Sequence, residues 1–167
     1  MPELKKIALI NPKNPKYLYD ENPIINEMFL RNKERLKPWY APPLSLLTLA
    51  SYIPKNVEVK LYDEYIDNIE TNEKFDIVAI TGMTRQISRA YEIARIFKSY
   101  GSYIVIGGIH SSVMPEEALE FADTVFIGEA EETWPLFLDD YIKGFPKKIY
   151  KSNTPFNLEN SIIPKYD

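Results

Sequence analysis

The chain has 167 residues, a formal net charge of −4, 26% charged residues and no cysteine, and this length fits one domain with its own hydrophobic core. The missing cysteines exclude disulfides, thiolate zinc sites and protein-ligated iron–sulfur clusters within these residues, and the negative charge argues against a nucleic-acid backbone binder. No apolar stretch approaches the ~20 residues that span a bilayer, so we expect a cytoplasmic protein with no membrane or nucleic-acid partner.

Short apolar runs alternate with helix-like segments along the chain. The apolar runs predict strands at residues 7–10, 77–80, 104–106 and 124–127, and the alternation of Val57, Val59 and Leu61 predicts a further strand at 57–63. Helical spacing, proline and glycine positions predict helices at residues 42–53, 87–97, 115–122 and 131–141, and a short one near 24–36. Pro135 fits the last long helix only in its first turn. Residues 149–150 can add a short edge strand.

The strand-like runs are apolar almost throughout, which is typical of strands buried on both faces of a sheet. Alternation of strands and helices predicts right-handed crossovers and a parallel sheet. We therefore predict an α/β domain over residues 1–150, doubly wound, with a mainly parallel five-stranded sheet in the order 3-2-1-4-5 or 2-1-3-4-5. Residues 151–167 are rich in Asn, Ser and Pro and are predicted to be a linker.

Ligands of an open parallel sheet bind beyond the carboxyl ends of its strands. The sequence has no GxGxxG after its first strand and no P-loop, which excludes the common nucleotide fingerprints. It also lacks the phosphate loop of a flavodoxin and the acidic residues of a phosphoacceptor site. The residues that directly follow the predicted strands are Asn11, Pro12, Asp63, Glu64, Thr81, Gly82, Met83, Gly107, Gly108, Ile109, His110, Gly128 and Glu129.

The pair Gly107-Gly108 is the strongest local signal. Two glycines at a strand end let the backbone approach a bulky flat ligand, although a tight turn without a ligand would use them too. Thr81 offers a hydroxyl beside the space left by Gly82, or it caps the strand end.

The charged and ionisable candidates have simpler alternatives. His110 is the only histidine and could be a nitrogen ligand or a proton carrier, but we interpret it as a loop residue that faces solvent or caps the next helix. Glu129 stands at a strand tip and could face a ligand, whereas Glu131 and Glu132 at a helix start complement the helix dipole.

Four motifs in this order resemble the cobalamin-binding domain that precedes the catalytic core of many radical-SAM enzymes. Residues 42–50 read PPLSLLTLA, which resembles PPLGLxxLA with Ser45 in place of glycine. Residues 59–63 resemble the strand VxLxD, and GGIH followed by PEE at 115–117 resembles GGxHxxxxPEE. Residues 128–131 read GEAE, which resembles GEGE with Ala130 in place of the second glycine.

The resemblance implies a Rossmann-like domain with the flavodoxin-like strand order 2-1-3-4-5 and with cobalamin held at the carboxyl ends of the strands. The cofactor-binding residues that it implies are Thr81, Gly82, Met83, Gly107, Gly108, Ile109, His110, Gly128 and Glu129. Classical cobalamin domains carry DxHxxG after the first strand, and its histidine ligates cobalt from below. Residues 11–15 here read NPKNP, so a bound cobalamin would have no histidine ligand from that position.

In that family a radical-SAM barrel follows in the same polypeptide and binds S-adenosylmethionine and an iron–sulfur cluster through CxxxCxxC. Because this chain has no cysteine, we assign both groups to a presumed downstream domain, reached through the linker 151–167. The chain itself is then expected to carry no catalytic residue and no metal ligand, as part of a methyltransferase or cyclase. The alternative is a scaffold or substrate-recognition domain of the same fold that has lost cobalamin binding.

Overall fold

The computed structural model describes residues 4–14 and 42–166. In that part of the chain six strands form the sheet: β1 (Lys6–Asn11), β2 (Glu58–Asp63), β3 (Ile77–Thr81), β4 (Tyr103–Gly107), β5 (Thr124–Ile127) and β6 (Ile149–Lys151). The helices are α1 (Leu44–Ser51), α2 (Ile87–Ser99), α3 (Ile109–Val113), α4 (Pro115–Leu119) and α5 (Thr133–Lys143). The predicted short helix near residues 24–36 lies outside the described residues.

All neighbouring strands pair in parallel, in the order β2-β1-β3-β4-β5-β6. The predicted order 2-1-3-4-5 is confirmed, the order 3-2-1-4-5 is wrong, and β6 extends the sheet at the edge where residues 149–150 suggested a strand. Thr81 lies opposite Gly107 in the register of β3 and β4. The carboxyl ends of these two strands therefore meet, which brings two of the candidate loops together.

Successive side chains of each strand point to opposite faces of the sheet, and both faces are covered by helices. On one face Ala8, Ile10 and Ile80 pack with α2 and α4, and on the other Ile7, Leu9 and Ala79 pack with α1 and α5. Burial of apolar side chains on both faces explains why β1, β3, β4 and β5 read as apolar runs, whereas β2, at one side of the sheet, is mostly half-buried and alternates. Because both faces are covered, a ligand of this sheet is expected at the carboxyl ends of its strands, which we call the carboxyl edge.

The helix between β4 and β5 differs from the prediction. It begins at Ile109, directly after Gly108, and is interrupted at Met114 before α4 starts at Pro115. Proline suits the first turn of α4 but has no N–H to continue α3. In α5, Pro135 stands in the first turn, as predicted.

Candidate functional site at the carboxyl edge of the sheet

The loops after β3 and β4 are in direct backbone contact. The amide of Gly82 donates to the carbonyl of Gly107 at 3.2 Å, and the amide of His110 donates to the carbonyl of Gly82 at 3.3 Å. Gly108 has φ +104°, and a Cβ there would lie 2.8 Å from the oxygen and 2.9 Å from the nitrogen of Gly82. The missing side chain of Gly108 is thus required by contact between the two loops, independently of any ligand.

Gly107 has no such internal reason to be glycine. Its φ is not positive, and a Cβ there would contact Phe126 Cβ at 3.6 Å, an ordinary van der Waals distance. The residue is partly exposed at the end of β4. The described residues therefore leave room for a Cβ at Gly107, in ordinary contact with Phe126, and give no steric reason for a glycine there.

Exposed apolar side chains flank this pair of loops. Met83 follows Gly82, Ile109 begins α3, and Val113 and Met114 lie at the end of α3; all four are exposed. We call these four residues the apolar border. Exposed apolar groups at the carboxyl ends of parallel strands are typical of a surface that contacts a large ligand or another protein segment.

His110 does not face solvent, so the interpretation of it as an exposed loop residue is wrong. It is 8% exposed, its Nδ1 lies 3.3 Å from Thr84 Oγ1, and its Nε2 lies 3.4 Å from Glu117 Oε1 without hydrogen-bond geometry. The hydroxyl of Tyr91 donates to the same Glu117 oxygen at 3.0 Å. Burial, and then the hydrogen bond to Glu117, raise the pKa of Tyr91. The spaced residues of GGIH and PEE thus meet in one contact, which joins α3 and α4 to α2.

The loops after β1 and β3 are bridged by a side chain that no sequence motif pointed to. Gln86 is buried; its Nε2 donates to the carbonyl of Pro12 at 2.5 Å, and its Oε1 accepts from the amide of Met83 at 3.0 Å. The amide of Lys13 donates to Glu64 at 3.2 Å, and Glu64 is paired with Arg89 at 2.8 Å. The segment where a classical cobalamin domain carries its lower histidine is held against the ends of β2 and β3.

Asp63, the acidic residue of the VxLxD motif, is buried at the end of β2. It is 1% exposed, and its Oδ1 accepts from Asn11 Nδ2 and from the amide of Tyr65, both at 3.2 Å. Its Oδ2 is buried without a hydrogen-bond partner. Burial raises the pKa of Asp63, because water no longer solvates the charged form, and the nearby Asp67 adds to the rise.

The tip of β5 is joined to the same edge through Ser112. The hydroxyl of Ser112 donates to the carbonyl of Gly108 at 2.8 Å and accepts from the amide of Gly128 at 2.9 Å. The carboxylate of Glu129 accepts from the amide of Phe156. The predicted site residues at 81–83, 107–110 and 128 thus form one connected edge, whereas Glu129 is engaged by the C-terminal segment.

Other classes of site are not found in the described part of the chain. Within residues 4–14 and 42–166, no group of three or more His, Cys, Asp or Glu side chains is arranged to hold a metal ion. No helix in those residues has the length and apolar character needed to cross a membrane.

This chain is similar to a known domain family and to two curated methyltransferases. Residues 40–138 match the family model of the B12 binding domain. Bacteriochlorophyllide d C-8(2)-methyltransferase of Chlorobaculum tepidum is 39% identical over 117 residues, which cover 70% of this chain and 26% of the relative. Bacteriochlorophyllide d C-12(1)-methyltransferase of the same organism is 33% identical over 113 residues, which cover 66% of this chain and 25% of the relative.

A solved structure shares the fold. The cobalamin-dependent S-adenosylmethionine radical enzyme OxsB, in its form with aqua-cobalamin bound, superimposes with a TM-score of 0.59 and 23% sequence identity. The superposition covers 87% of this chain and 20% of that enzyme. This chain therefore spans only about a quarter of the two curated relatives and a fifth of the solved one.

Proposed function

Because this chain belongs to the B12-binding domain family, we propose that it holds cobalamin at the carboxyl ends of β3 and β4. This placement rests on one observation: the described packing leaves room for a Cβ at Gly107, yet the residue has no side chain. The apolar border supplies exposed hydrophobic surface next to that space, which suits a broad, rigid corrin. On these grounds the residues present fit the cofactor.

The candidate residues divide into two roles. Thr81, Met83, Gly107 and Ile109 lie at the strand ends or in the apolar border, and we assign direct contact with the cofactor to them. A positioning role suits Gly82, Gly108, His110 and Gly128, whose contacts are internal to the edge, and Glu129, which binds the C-terminal segment.

Bound cobalamin would supply a cobalt centre able to carry a methyl group, while the protein binds and orients it. The chain offers no histidine from the loop after β1, and its single histidine, His110, turns its ring towards Thr84 and Glu117. We therefore expect cobalamin to bind without an imidazole ligand from this chain. Hydrogen bonds to Gln86 and Glu64 hold the backbone of Pro12 and Lys13 in a defined position beside the proposed site.

We further propose that the domain serves a radical-SAM methyltransferase. Two observations support this: the order of the four motifs, and the names of the curated relatives, both of which are methyltransferases. The S-adenosylmethionine and the iron–sulfur cluster would be bound outside these residues, which contain no cysteine. The role of this chain is to present the corrin to that catalytic part.

The test is titration of the 167-residue chain with hydroxocobalamin, followed by calorimetry and by visible absorbance. Ile109→Glu places a charge where the corrin should lie, and we expect binding about tenfold weaker, or ~1.4 kcal/mol. The matched control is Phe145→Glu: Phe145 is 81% exposed and Ile109 64%, but Phe145 precedes β6 and so lies at the opposite edge of the sheet.

Equal binding by both variants would show that the cofactor lies elsewhere. If the unaltered chain does not bind hydroxocobalamin at millimolar concentration, the scaffold or substrate-recognition alternative replaces cobalamin binding.

A further inference from the structure

The C-terminal segment, residues 152–166, is attached to the domain at both of its ends; we call it the C-terminal strap. Near β6 the amide of Ser152 donates to the carbonyl of Ile127 at 3.0 Å, and the amide of Phe156 donates to the Glu129 carboxylate. Further along, the hydroxyl of Ser51 donates to the carbonyl of Ile163 at 2.9 Å. The amide of Lys165 donates to the carbonyl of Leu47 at 3.1 Å. The strap therefore runs from the tips of β5 and β6 to helix α1.

Burial of large side chains contributes little to holding the strap. Leu158, Ile163 and Tyr166 are all exposed, with 68–86% of their surface accessible. The attachments are hydrogen bonds to the strap's backbone, and the one made by Glu129 is charge-assisted, which makes it stronger than a neutral amide–carbonyl bond. Glu129 is thus the side chain on which the position of the strap depends most.

The strap is also connected to the proposed cobalamin site. A Cβ at Gly128, which has φ +81°, would lie 3.5 Å from Ser152 Cβ, so the strap packs on the turn that precedes Glu129. The amide of Gly128 donates to Ser112, whose hydroxyl donates to the carbonyl of Gly108. Two hydrogen bonds and one packing contact thus lead from the strap to the loop after β4.

We propose that Glu129 is a positioning residue: it fixes the C-terminal strap, and through Gly128 and Ser112 the strap fixes the loop of Gly108 beside the cofactor. This gives residues 152–166 a structural role in the site, in place of that of a free linker. The attachment of the strap is independent of the ligand, whereas its effect on the site rests on the proposed cobalamin binding.

The experiment compares amide hydrogen exchange and hydroxocobalamin affinity in the 167-residue chain and four variants. Glu129→Ala removes the acceptor, so we expect the Phe156 amide to exchange about tenfold faster and hydroxocobalamin to bind several-fold more weakly. Glu129→Gln keeps an acceptor oxygen, so it should retain most of the protection of the Phe156 amide and most of the hydroxocobalamin affinity. Ser112→Ala removes the hydrogen bonds to Gly108 and Gly128 but leaves the strap attached. It should therefore weaken hydroxocobalamin binding while the Phe156 amide stays protected.

The control is Glu132→Ala, since Glu132 is exposed in the same connection between β5 and α5 and its side chain makes no capping hydrogen bond. It should leave both measurements unchanged. Unchanged Phe156 exchange in Glu129→Ala would overturn the attachment. Faster exchange with undiminished affinity would overturn the effect on the site. If the unaltered chain binds no hydroxocobalamin, the proposed function and the effect on the site both fail, and the exchange data still decide the attachment.

Discussion

Two carboxyl groups of the β-sheet region have pKa values displaced in opposite directions. Hydrogen bonds from Lys6 and Lys60 to Glu73 lower the pKa of Glu73 from 4.5 to about 2. Burial raises the pKa of Asp63 above its ordinary 3.8, and its Oδ2 has no donor. The native state therefore favours the charged form of Glu73 and the protonated form of Asp63.

These shifts predict opposite effects on the pH dependence of stability. Glu73 stabilises the fold above pH 4.5, and this contribution is lost as the pH falls towards 2. Asp63 behaves in the reverse sense: the native state binds its proton more tightly, so its contribution declines as the pH rises above 3.8. Relative to the unaltered chain, Asp63→Asn should therefore gain stability with rising pH, whereas Glu73→Gln should lose it.

Urea unfolding of the three proteins from acid to neutral pH measures this directly. Parallel stability curves for Asp63→Asn and the unaltered chain would contradict the raised pKa of Asp63. The sequence identified Asp63 as part of a motif at a strand end, but its burial depends on Asn11 and Tyr65 and on the packing of β2 beside β1. The contact with Tyr65 is local, but the one with Asn11, 52 positions away, and the pairing of β2 with β1 leave no local pattern in the sequence.

At the scale of elements, the contact between the loops after β3 and β4 gives its two glycines different tolerances. Gly108→Ala forces a side chain into a positive-φ position 2.8 Å from the backbone of Gly82, so we expect a loss of ~1–3 kcal/mol in the free energy of unfolding. Gly107→Ala meets Phe126 at an ordinary distance, and its effect on stability should stay within about 0.5 kcal/mol.

Chemical denaturation of the two variants checks this difference. Equal losses would mean that Gly107 is also constrained by internal packing, and the argument that its missing side chain serves a ligand would fail. A larger side chain at Gly108 would disturb these loops with or without a cofactor, so substitutions there do not test ligand binding.

The elements differ in how far the sequence predicted them. Four strands were predictable from their continuous apolar runs and β2 from its alternation of apolar and polar residues, and the order 2-1-3-4-5 followed from the resemblance to a known family. Helix α3 was not predicted, because its five residues are too few to show a helical period. Gln86 could not be selected either, since it is linked to Pro12, 74 positions away, by a hydrogen bond that only the folded chain creates.

For the whole molecule, the arrangement of layers decides where a cofactor can enter. Helices α2 and α4 cover one face of the sheet and α1 and α5 the other. A cofactor is therefore expected at the carboxyl edge, where open parallel sheets bind their ligands. The sequence predicted the loops at that edge correctly as neighbours. It did not show that His110 and Glu129 make internal contacts, because both stand in motifs whose spacing is explained equally well by packing and by binding.

The most direct test of cobalamin binding at the carboxyl edge is a map of backbone amide shifts. Hydroxocobalamin is added to the nitrogen-labelled 167-residue chain, and the amide resonances are followed by NMR. Binding at the carboxyl edge predicts the largest shifts at residues 81–83 and 107–114, and small shifts in the turn at residues 144–148, which precedes β6 at the opposite edge. Shifts centred on that turn, or no saturable shifts at all, would contradict it.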